Sequence, residues 1–231
     1  MKFVLTSMLG NSHVDAAALL DMHKMLVVEK ETLSILLGDK VKLETLLDIG
    51  AGNGVQTLEI APLFQHVTAT EASLNCFNRL EESEFIHSAV HAGDLDSFES
   101  CGSHFDVVTL FNVLDRCKYP VTLLRQAMRC LHAEGRLVIA MVHPFSPFVV
   151  QGEQRGFPVE RLPLTGCRSM EEQCLAAVQH VFRPLGLHLE CLARLPYLCV
   201  ANDNSPFPIT TMDCAVMVLT PGGTRPPPPR C

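Results

Sequence analysis

The stretch Leu46-Leu47-Asp48-Ile49-Gly50-Ala51-Gly52-Asn53-Gly54 decides the fold of this 231-residue chain. Apolar residues lead into an acid, and three glycines then alternate with small or polar residues. The pattern predicts a buried strand, a tight turn and a helix over residues 55–64. Gly50 lets the chain reverse, Gly52 lets a ligand approach bare backbone, and Gly54 lets helix and strand pack closely. Free N–H groups at the start of the helix favour an electron-rich ligand.

A second acidic residue, Glu71, ends the next apolar run at residues 67–70. It follows the glycines by about the 20 residues at which an acid meets a ribose diol in α/β nucleoside sites. The glycine spacing is G-x-G-x-G, and it differs from the G-x-G-x-x-G dinucleotide fingerprint. A strand that ends in D-x-G-x-G-x-G resembles motif I of the class I S-adenosylmethionine (SAM) methyltransferases. The glycine run alone could be only a turn, but together with Glu71 it predicts a nucleoside site.

Composition indicates a globular protein with a large core. Hydrophobic residues make up 48% of the chain and charged residues 19%, which is unlike a disordered sequence. The net charge of −7 argues against a nucleic-acid-binding surface, so no nucleic-acid partner is expected. An acidic protein more readily attracts a basic or histidine-rich peptide.

The ten cysteines are scattered without a C-x-x-C pair, and the ten histidines lack the spacing of a metal site. We therefore expect no metal and reduced thiols in an intracellular compartment, most simply the cytoplasm. An association with an endomembrane or an organelle stays open. No apolar run reaches the roughly 18 residues of a membrane span, and a monomer is the expected state.

Strands and helices alternate regularly, which predicts a doubly wound α/β fold. Strands are predicted at 45–49, 66–70, 86–91, 106–111, 136–142, 188–195 and 213–219. Helices are predicted at 13–28, 31–37, 55–64, 73–82, 120–131 and 169–185. Residues 151–168 are expected to form an irregular insertion and 197–212 a long polar link. Together with the resemblance to motif I, this implies a Rossmann-like class I methyltransferase fold, with a seven-stranded, mostly parallel sheet and helices on both faces. One domain would span 1–221, with an N-terminal helical cap at 1–40 and a disordered Pro-rich tail at 222–231.

Three further motifs follow the glycine turn in order: N-V-L-D-R-C at 112–117, H-P-F-S-P-F at 143–148 and R-L-P-Y-L-C at 194–199. With these motifs the chain resembles the methyltransferase-like 9 (DREV) family over roughly residues 25–221. The resemblance implies SAM as cofactor and S-adenosylhomocysteine as product. It also implies protein or peptide substrates, which family members methylate at the N1 (π) nitrogen of histidine in His-x-His motifs. Between 200 and 212 the chain lacks the acidic, tyrosine-rich segment that the family tends to carry.

In an open α/β sheet, ligands lie beyond the carboxyl ends of the strands. Cofactor contacts are therefore expected from Asp48, Gly50, Ala51, Gly52, Asn53, Glu71, Ala72, Asp94, Leu95 and Asn112. Asn112 and Asp115 are the candidate catalytic residues. A carboxylate at Asp115 would accept the N–H of the ring nitrogen that is not methylated, and thereby fix the tautomer. The alternative for Asp115 is a cap or an ion pair with Arg116.

Substrate contacts are expected from Asp115, Arg116, Arg194, Tyr197 and Asp213. Tyr197 would wall the pocket, although ordinary packing is an alternative. Arg194 and Asp213 could bind peptide backbone or the second histidine, or could equally be paired charges. His143 is expected to be a hydrogen-bonded structural histidine. Two other function classes stay open: a methyltransferase of a small metabolite, and a degenerate SAM-binding protein that acts only through interaction.

Overall fold

The computed structural model of the chain describes residues 25–39, 41–92, 104–151, 154–200 and 209–222. Labels below follow chain order within these ranges. The helices are α1 (Lys30–Leu37), α2 (Val55–Ile60), α3 (Leu74–Glu81), α4 (Pro120–Arg129) and α5 (Met170–Ala177). The strands are β1 (Thr45–Ile49), β2 (His66–Glu71), β3 (Ser88–His91), β4 (Phe105–Phe111), β5 (Leu131–His143), β6 (Val149–Gln151), β7 (Gln154–Gly156), β8 (Leu187–Arg194), β9 (Tyr197–Val200) and β10 (Ile209–Pro221). Within these ranges no helix is long and apolar enough to cross a membrane.

The main sheet has the strand order β3-β2-β1-β4-β5-β10-β8. The first five strands of this order pair in parallel, and β10 is antiparallel to both β5 and β8. The prediction of a mostly parallel, seven-stranded α/β sheet is therefore confirmed. Its strand order reverses between β1 and β4, and in such sheets this is where ligands bind.

The central strands are buried because both of their faces are covered. In β4 every residue except Phe111 is buried, as expected for a parallel strand between two helical layers. One core cluster packs Leu110, Ile139 and Phe182 on one face, and the other packs Leu46 and Val138 on the opposite face. The sheet is therefore a rigid support for the loops that follow β1, β2 and β4.

The last strand is longer than predicted, and part of the segment 197–212 is β-strand. β10 begins at Ile209 and pairs over its first four residues with β9, from Ile209↔Val200 to Met212↔Tyr197. The prediction of a polar link is wrong at both ends of this segment, because backbone pairing turns the ends into strands. Residues 201–208 lie outside the described residues.

Two other predicted boundaries differ from the structure. β5 begins at Leu131, where a helix was expected to end, because Phe105 pairs with Leu131 ahead of an irregularity in the ladder. The helix predicted over 169–185 is α5, a π-helical turn at Val178–Phe182 and a 3₁₀ turn at Arg183–Leu185. The insertion 151–168 is also partly regular, since β6 and β7 form an antiparallel hairpin.

The segment 25–28 is not helical, contrary to the prediction, because the side chain of Gln56 holds it in an extended form. Gln56 Oε1 accepts from the N–H groups of Val27 and Val28 at 2.7 and 3.1 Å, and its Nε2 donates to the Val28 carbonyl at 2.8 Å. Met25 forms an isolated antiparallel bridge with Cys199. The rest of the predicted cap helix at 13–24, Asp94 and Leu95, and tail residues 223–231 lie outside the described residues. The single domain over 1–221 stays a prediction.

Candidate functional site

The glycine turn has the backbone that its sequence predicts. Gly50, Gly52 and Gly54 have φ angles of 71°, 59° and 83°, which favour glycine. A Cβ at Gly50 would lie 2.8 Å from a methyl of Val113, so this position also needs a bare backbone. At Gly52 a Cβ would meet nothing within 4 Å, so the outer side of the turn is open. The turn therefore leaves room for a ligand at Gly52.

Glu71 holds the turn in place through its carboxylate. Oε2 accepts from the Gly52 N–H at 2.8 Å, and Oε1 accepts from the Ser73 N–H at 2.8 Å. The N–H of Gly54 bonds to the Ala51 carbonyl, and the N–H of Val55 approaches Asn53 Oδ1 at 3.4 Å. The expectation of free N–H groups in the turn therefore does not hold for these three residues. The N–H of Gly52 is used by Glu71 of β2, and those of Gly54 and Val55 are used by Ala51 and Asn53 within the turn itself.

Asp48 lies beneath the turn and is 2% exposed. Its Oδ2 accepts from the Thr57 hydroxyl at 2.5 Å and its Oδ1 from the Thr109 hydroxyl at 2.6 Å. Burial raises the pKa of Asp48 to about 6, against the two hydroxyl hydrogen bonds, which lower it. Asp48 thus ties β1, α2 and β4 together directly below the glycines.

Asn112 follows β4 in a left-handed conformation, with φ at 56°. Asparagine tolerates this region better than most residues, and such conformations cluster at functional sites. Its Nδ2 donates to the phenol oxygen of Tyr197 at 2.9 Å, and its Oδ1 lies 4.0 Å from the Cys214 sulfur. The Tyr197 hydroxyl in turn donates to the Met25 sulfur at 3.7 Å. Sequence reasoning missed Met25 and Cys214, because only β-pairing brings them here.

Asp115 is buried beside Arg116. Burial raises the pKa of Asp115 to about 6, although the positive charge of Arg116 opposes the rise. Arg116 Nη1 donates to Asp115 Oδ2 at 2.5 Å and to the Ser146 carbonyl at 3.2 Å, and its guanidinium lies 3.9 Å from the Phe148 ring centroid. The ion pair weighed as an alternative for Asp115 is therefore present. Arg116 occupies Oδ2 of Asp115, and no other described residue is recorded as donating a hydrogen bond to Oδ1.

Asp115 is electrostatically close to the Asn112–Tyr197 pair. Burial, and to a smaller extent the charge of Asp115, raise the pKa of Tyr197. Burial raises the pKa of the Cys214 thiol to about 12, and Asp115 adds to that rise. The phenol and the thiol therefore keep their protons at neutral pH.

Arg194 and Asp213 pair with each other on the exposed surface. Arg194 Nε and Nη2 donate to Asp213 Oδ1 and Oδ2 at 2.9 and 2.5 Å, and Arg194 Nη1 lies 3.4 Å from a carboxylate oxygen of Glu171. Asp213 is the cross-strand partner of His143, whose Nδ1 lies 2.9 Å from Gln173 Oε1. His143 is thus hydrogen-bonded, as expected. Sequence reasoning missed Gln173, because a single glutamine in a helix carries no distinctive pattern.

The structure therefore groups the predicted residues at the carboxyl ends of neighbouring strands. The turn residues Gly50, Ala51, Gly52 and Asn53 lie with Glu71 and Ala72 after β1 and β2, and Asn112, Asp115 and Arg116 follow β4. Tyr197 joins them through its bond to Asn112. In the part of the chain that the structure describes, no group of three or more His, Cys, Asp or Glu side chains could hold a metal ion.

Comparisons with known proteins agree with this architecture. A curated relative is the mitochondrial ubiquinone biosynthesis O-methyltransferase of Schizosaccharomyces pombe, 30% identical over 108 residues. That match spans 42% of this chain but only 37% of the relative. A SAM-dependent methyltransferase from Leishmania major superposes with a TM-score of 0.54 at 13% identity, covering 94% of this chain and 77% of the other. One from Clostridium acetobutylicum has a TM-score of 0.50 at 13% identity, covering 79% and 86%. At these identities the two structures show a shared fold.

A family model covers nearly the whole chain. The model is that of the DREV methyltransferases, and it matches residues 5–221. The match includes the glycine turn, Glu71 and the Asn112–Arg116 loop. The cofactor is accordingly SAM. The chain belongs to the DREV methyltransferase family, with a class I SAM-dependent methyltransferase fold.

Proposed function

We propose that this chain is a protein-histidine methyltransferase that transfers a methyl group from SAM to the N1 (π) nitrogen of histidine in His-x-His motifs. The observation that carries the proposal is the buried Asp115 carboxyl beside the Asn112–Tyr197 hydrogen bond, at the strand end that adjoins the glycine turn. Its resemblance to a family with this activity supports the choice of histidine. Peptides and proteins that carry the motif are the proposed partners.

The residues at the glycine turn fit the nucleoside part of SAM. Glu71 accepts one backbone N–H on each oxygen, and a carboxylate has about four acceptor positions, so each oxygen can accept a ribose hydroxyl as well. The open space at Gly52 allows a ligand to approach. Asp48, Gly50, Ala51, Asn53, Ala72 and Asn112 are proposed to complete the cofactor site, and Asp94 and Leu95 stay expectations. When bound, SAM supplies an electrophilic methyl group on sulfur.

The chain's own contribution to transfer is mainly positioning. A neutral imidazole already has a lone pair on one nitrogen, so no base is needed to create the nucleophile. The Asp115 carboxylate would accept a hydrogen bond from the N–H of the other ring nitrogen. This fixes the tautomer in which the π nitrogen carries the lone pair, and it points that lone pair away from Asp115. Alignment of this kind contributes roughly 7–11 kcal/mol to lowering the barrier. The methylated ring is a cation that keeps its N–H on Asp115, and it then loses that proton to solvent.

Asn112 and Tyr197 would shape the other side of the pocket. The Asn112 amide has a second N–H that the Tyr197 bond does not use. That N–H is proposed to orient the substrate ring or the cofactor. Tyr197 is 6% exposed, so its ring supplies a wall and its hydroxyl holds Asn112 in one orientation. Arg116, Arg194 and Asp213 are proposed to contact the rest of the peptide.

A second candidate function is methylation of a small metabolite. The observation that favours it is the 30% identity to a ubiquinone biosynthesis O-methyltransferase. A hydroxyl substrate would need a base, and Asp115 could serve once ionised. A SAM-binding protein without activity is the third alternative.

One experiment separates these functions. The protein is incubated with methyl-labelled SAM and His-Ala-His, Ala-Ala-His, His-Ala-Ala or Ala-Ala-Ala peptides, and product is located by mass spectrometry and NMR. We expect label on the π nitrogen of a histidine, and none on the last peptide. Label on the far nitrogen, on lysine or arginine, or on no peptide despite SAM binding would reject the proposal. Gly52→Arg, which fills the open side of the turn, is the control for cofactor dependence.

A further inference from the structure

Gln173 is fully buried in α5, and three hydrogen bonds fix its side chain. Nε2 donates to the Val142 carbonyl at 3.0 Å, and Oε1 accepts from the Phe145 N–H at 2.8 Å. A carbonyl can only accept and a backbone N–H can only donate, so the amide cannot be turned over. The acceptor atom of Gln173 therefore faces His143.

This orientation decides the tautomer of His143. Nδ1 of His143 lies 2.9 Å from Gln173 Oε1, and since that oxygen is an acceptor, Nδ1 must carry the hydrogen. A neutral imidazole has a single N–H, so the lone pair is on Nε2. Gln173 thus leaves His143 with an acceptor at Nε2, to which no described residue is recorded as donating a hydrogen bond.

His143 lies at the same end of the sheet as the proposed reaction site. It is the last residue of β5, three residues beyond Ala140, whose carbonyl accepts from the Asn112 N–H. Its cross-strand neighbour Asp213 has both oxygens bonded to Arg194. His143 is half-buried, so part of the residue is open to solvent.

We propose that His143 is a specificity-determining residue, which accepts a hydrogen bond on Nε2 from an N–H group of the substrate peptide. This rests on the proposed function. Asp115 Oδ1 and His143 Nε2 would then be two acceptors at adjoining strand ends, and they select a substrate that offers two N–H donors. The second donor is an N–H of the peptide, either the other imidazole of His-x-His or a backbone amide.

The tautomer can be tested without activity. Two-bond proton–nitrogen correlation spectra of protein labelled with ¹⁵N-histidine show which ring nitrogen of each histidine carries the proton. His143→Asn deletes one set of signals and so assigns it. We expect the hydrogen on Nδ1 in wild type and a mixture of tautomers in Gln173→Leu. A wild-type hydrogen on Nε2 would overturn the inference.

The acceptor role is tested by peptide binding to the protein loaded with S-adenosylhomocysteine. His143→Asn keeps an N–H near the Nδ1 position for Gln173 but removes Nε2, whereas His143→Gln places a polar atom near Nε2. We expect His143→Asn to weaken His-Ala-His binding about tenfold, the effect of one lost hydrogen bond. His143→Gln should recover part of it, and both should keep the melting temperature and the affinity for S-adenosylhomocysteine. Unchanged peptide affinity in a folded His143→Asn protein would overturn the proposal.

The affinity of a second peptide shows which N–H group of the substrate donates to His143. Wild type methylates one of the single-histidine peptides, His-Ala-Ala or Ala-Ala-His, and that peptide serves as the comparison. If the other imidazole is the donor, His143→Asn weakens the binding of His-Ala-His but not the binding of this single-histidine peptide. If a backbone amide donates, both peptides weaken equally. Failure of the proposed function looks different, since wild type would then bind S-adenosylhomocysteine and methylate neither peptide, while the NMR result for His143 would stand.

Discussion

The side-chain amide of Asn112 donates a hydrogen bond to the phenol oxygen of Tyr197 at 2.9 Å, across 85 residues of sequence. The bond joins the loop after β4 to the start of β9, and so connects two of the motifs that carry the family resemblance. Asn112 adopts a left-handed backbone there, which few other residues tolerate. Substitution of Tyr197 tests whether this hydrogen bond fixes the orientation of the Asn112 side chain.

Replacing Tyr197 with Phe should lower methyl transfer more than stability. The variant keeps the ring but leaves the Asn112 amide without its acceptor, so Asn112 no longer has one orientation. We expect kcat to fall about tenfold and the free energy of unfolding to fall by about 1 kcal/mol. Steady-state kinetics and urea unfolding measure the two. Tyr119→Phe is the matched control, because Tyr119 is the other tyrosine and is exposed. Equal activity in both variants would contradict the prediction.

Replacing Glu71 with Gln should weaken cofactor binding. The amide can still accept from Gly52 or Ser73, but it loses the charge and part of the acceptor capacity that ribose hydroxyls would use. We expect the Kd of S-adenosylhomocysteine to rise at least about tenfold, measured by calorimetry. Glu81→Gln, at an exposed helix end, should change nothing. A normal affinity in Glu71→Gln would remove Glu71 from the cofactor site.

Asp115→Asn should change the pH dependence of methyl transfer. Transfer needs both an ionised Asp115, whose pKa burial raises to about 6, and a neutral substrate imidazole, whose usual pKa is about 6.5. Below about pH 6 both groups are protonated, so the logarithm of the rate should rise with a slope approaching two. The variant lacks one titrating group, and we expect a slope of about one with a lower plateau. Asp39→Asn, at an exposed position, should keep the wild-type profile.

Asp48 should make the fold more stable in mild acid. Its folded pKa of about 6 lies above the unfolded value of about 3.9, so the folded state binds the proton more tightly. The resulting stabilisation is full below about pH 4 and is lost as pH rises through about 6. Between pH 7 and pH 5 we expect Asp48 to add about 1 kcal/mol to the free energy of unfolding. In urea titrations, the free energy of unfolding of Asp48→Asn should change between pH 7 and pH 5 by about 1 kcal/mol less than that of wild type. An equal change in both proteins would argue against the raised pKa of Asp48.

Gln56→Leu should loosen the segment 25–28. The substitution removes the bonds to Val27 and Val28 and leaves their backbone groups without these partners. We expect the free energy of unfolding to fall by about 2–3 kcal/mol and the segment to lose protection in hydrogen exchange. Gln65→Leu, at an exposed position, is the control. Unchanged protection of Val27 and Val28 would show that Gln56 does not hold the segment.

Local features of the site could be predicted from the sequence, whereas contacts between distant segments could not. The φ angles of the glycine turn and the placement of Glu71 follow from one strand–turn–helix unit and the next strand. The pairing of β9 with β10 depends on the register between the two strands. That register could not be predicted, because residues 200–212 lack the segment that the family tends to carry there. Arg194 and Asp213 were expected as substrate contacts or paired charges, and only the sheet decides that they pair with each other.

The bond between Met25 and Tyr197 spans 172 residues and has a consequence for biosynthesis. Met25 is synthesised long before its partner, and at about 5–20 residues per second the delay is roughly 9–34 s. The hydrogen bond of Asn112 also forms only after Tyr197 has been synthesised. The nascent chain can therefore complete its glycine turn early, but the wall of its pocket closes only after translation has reached the last strands. Until then Met25 lacks the partner that it has in the folded protein.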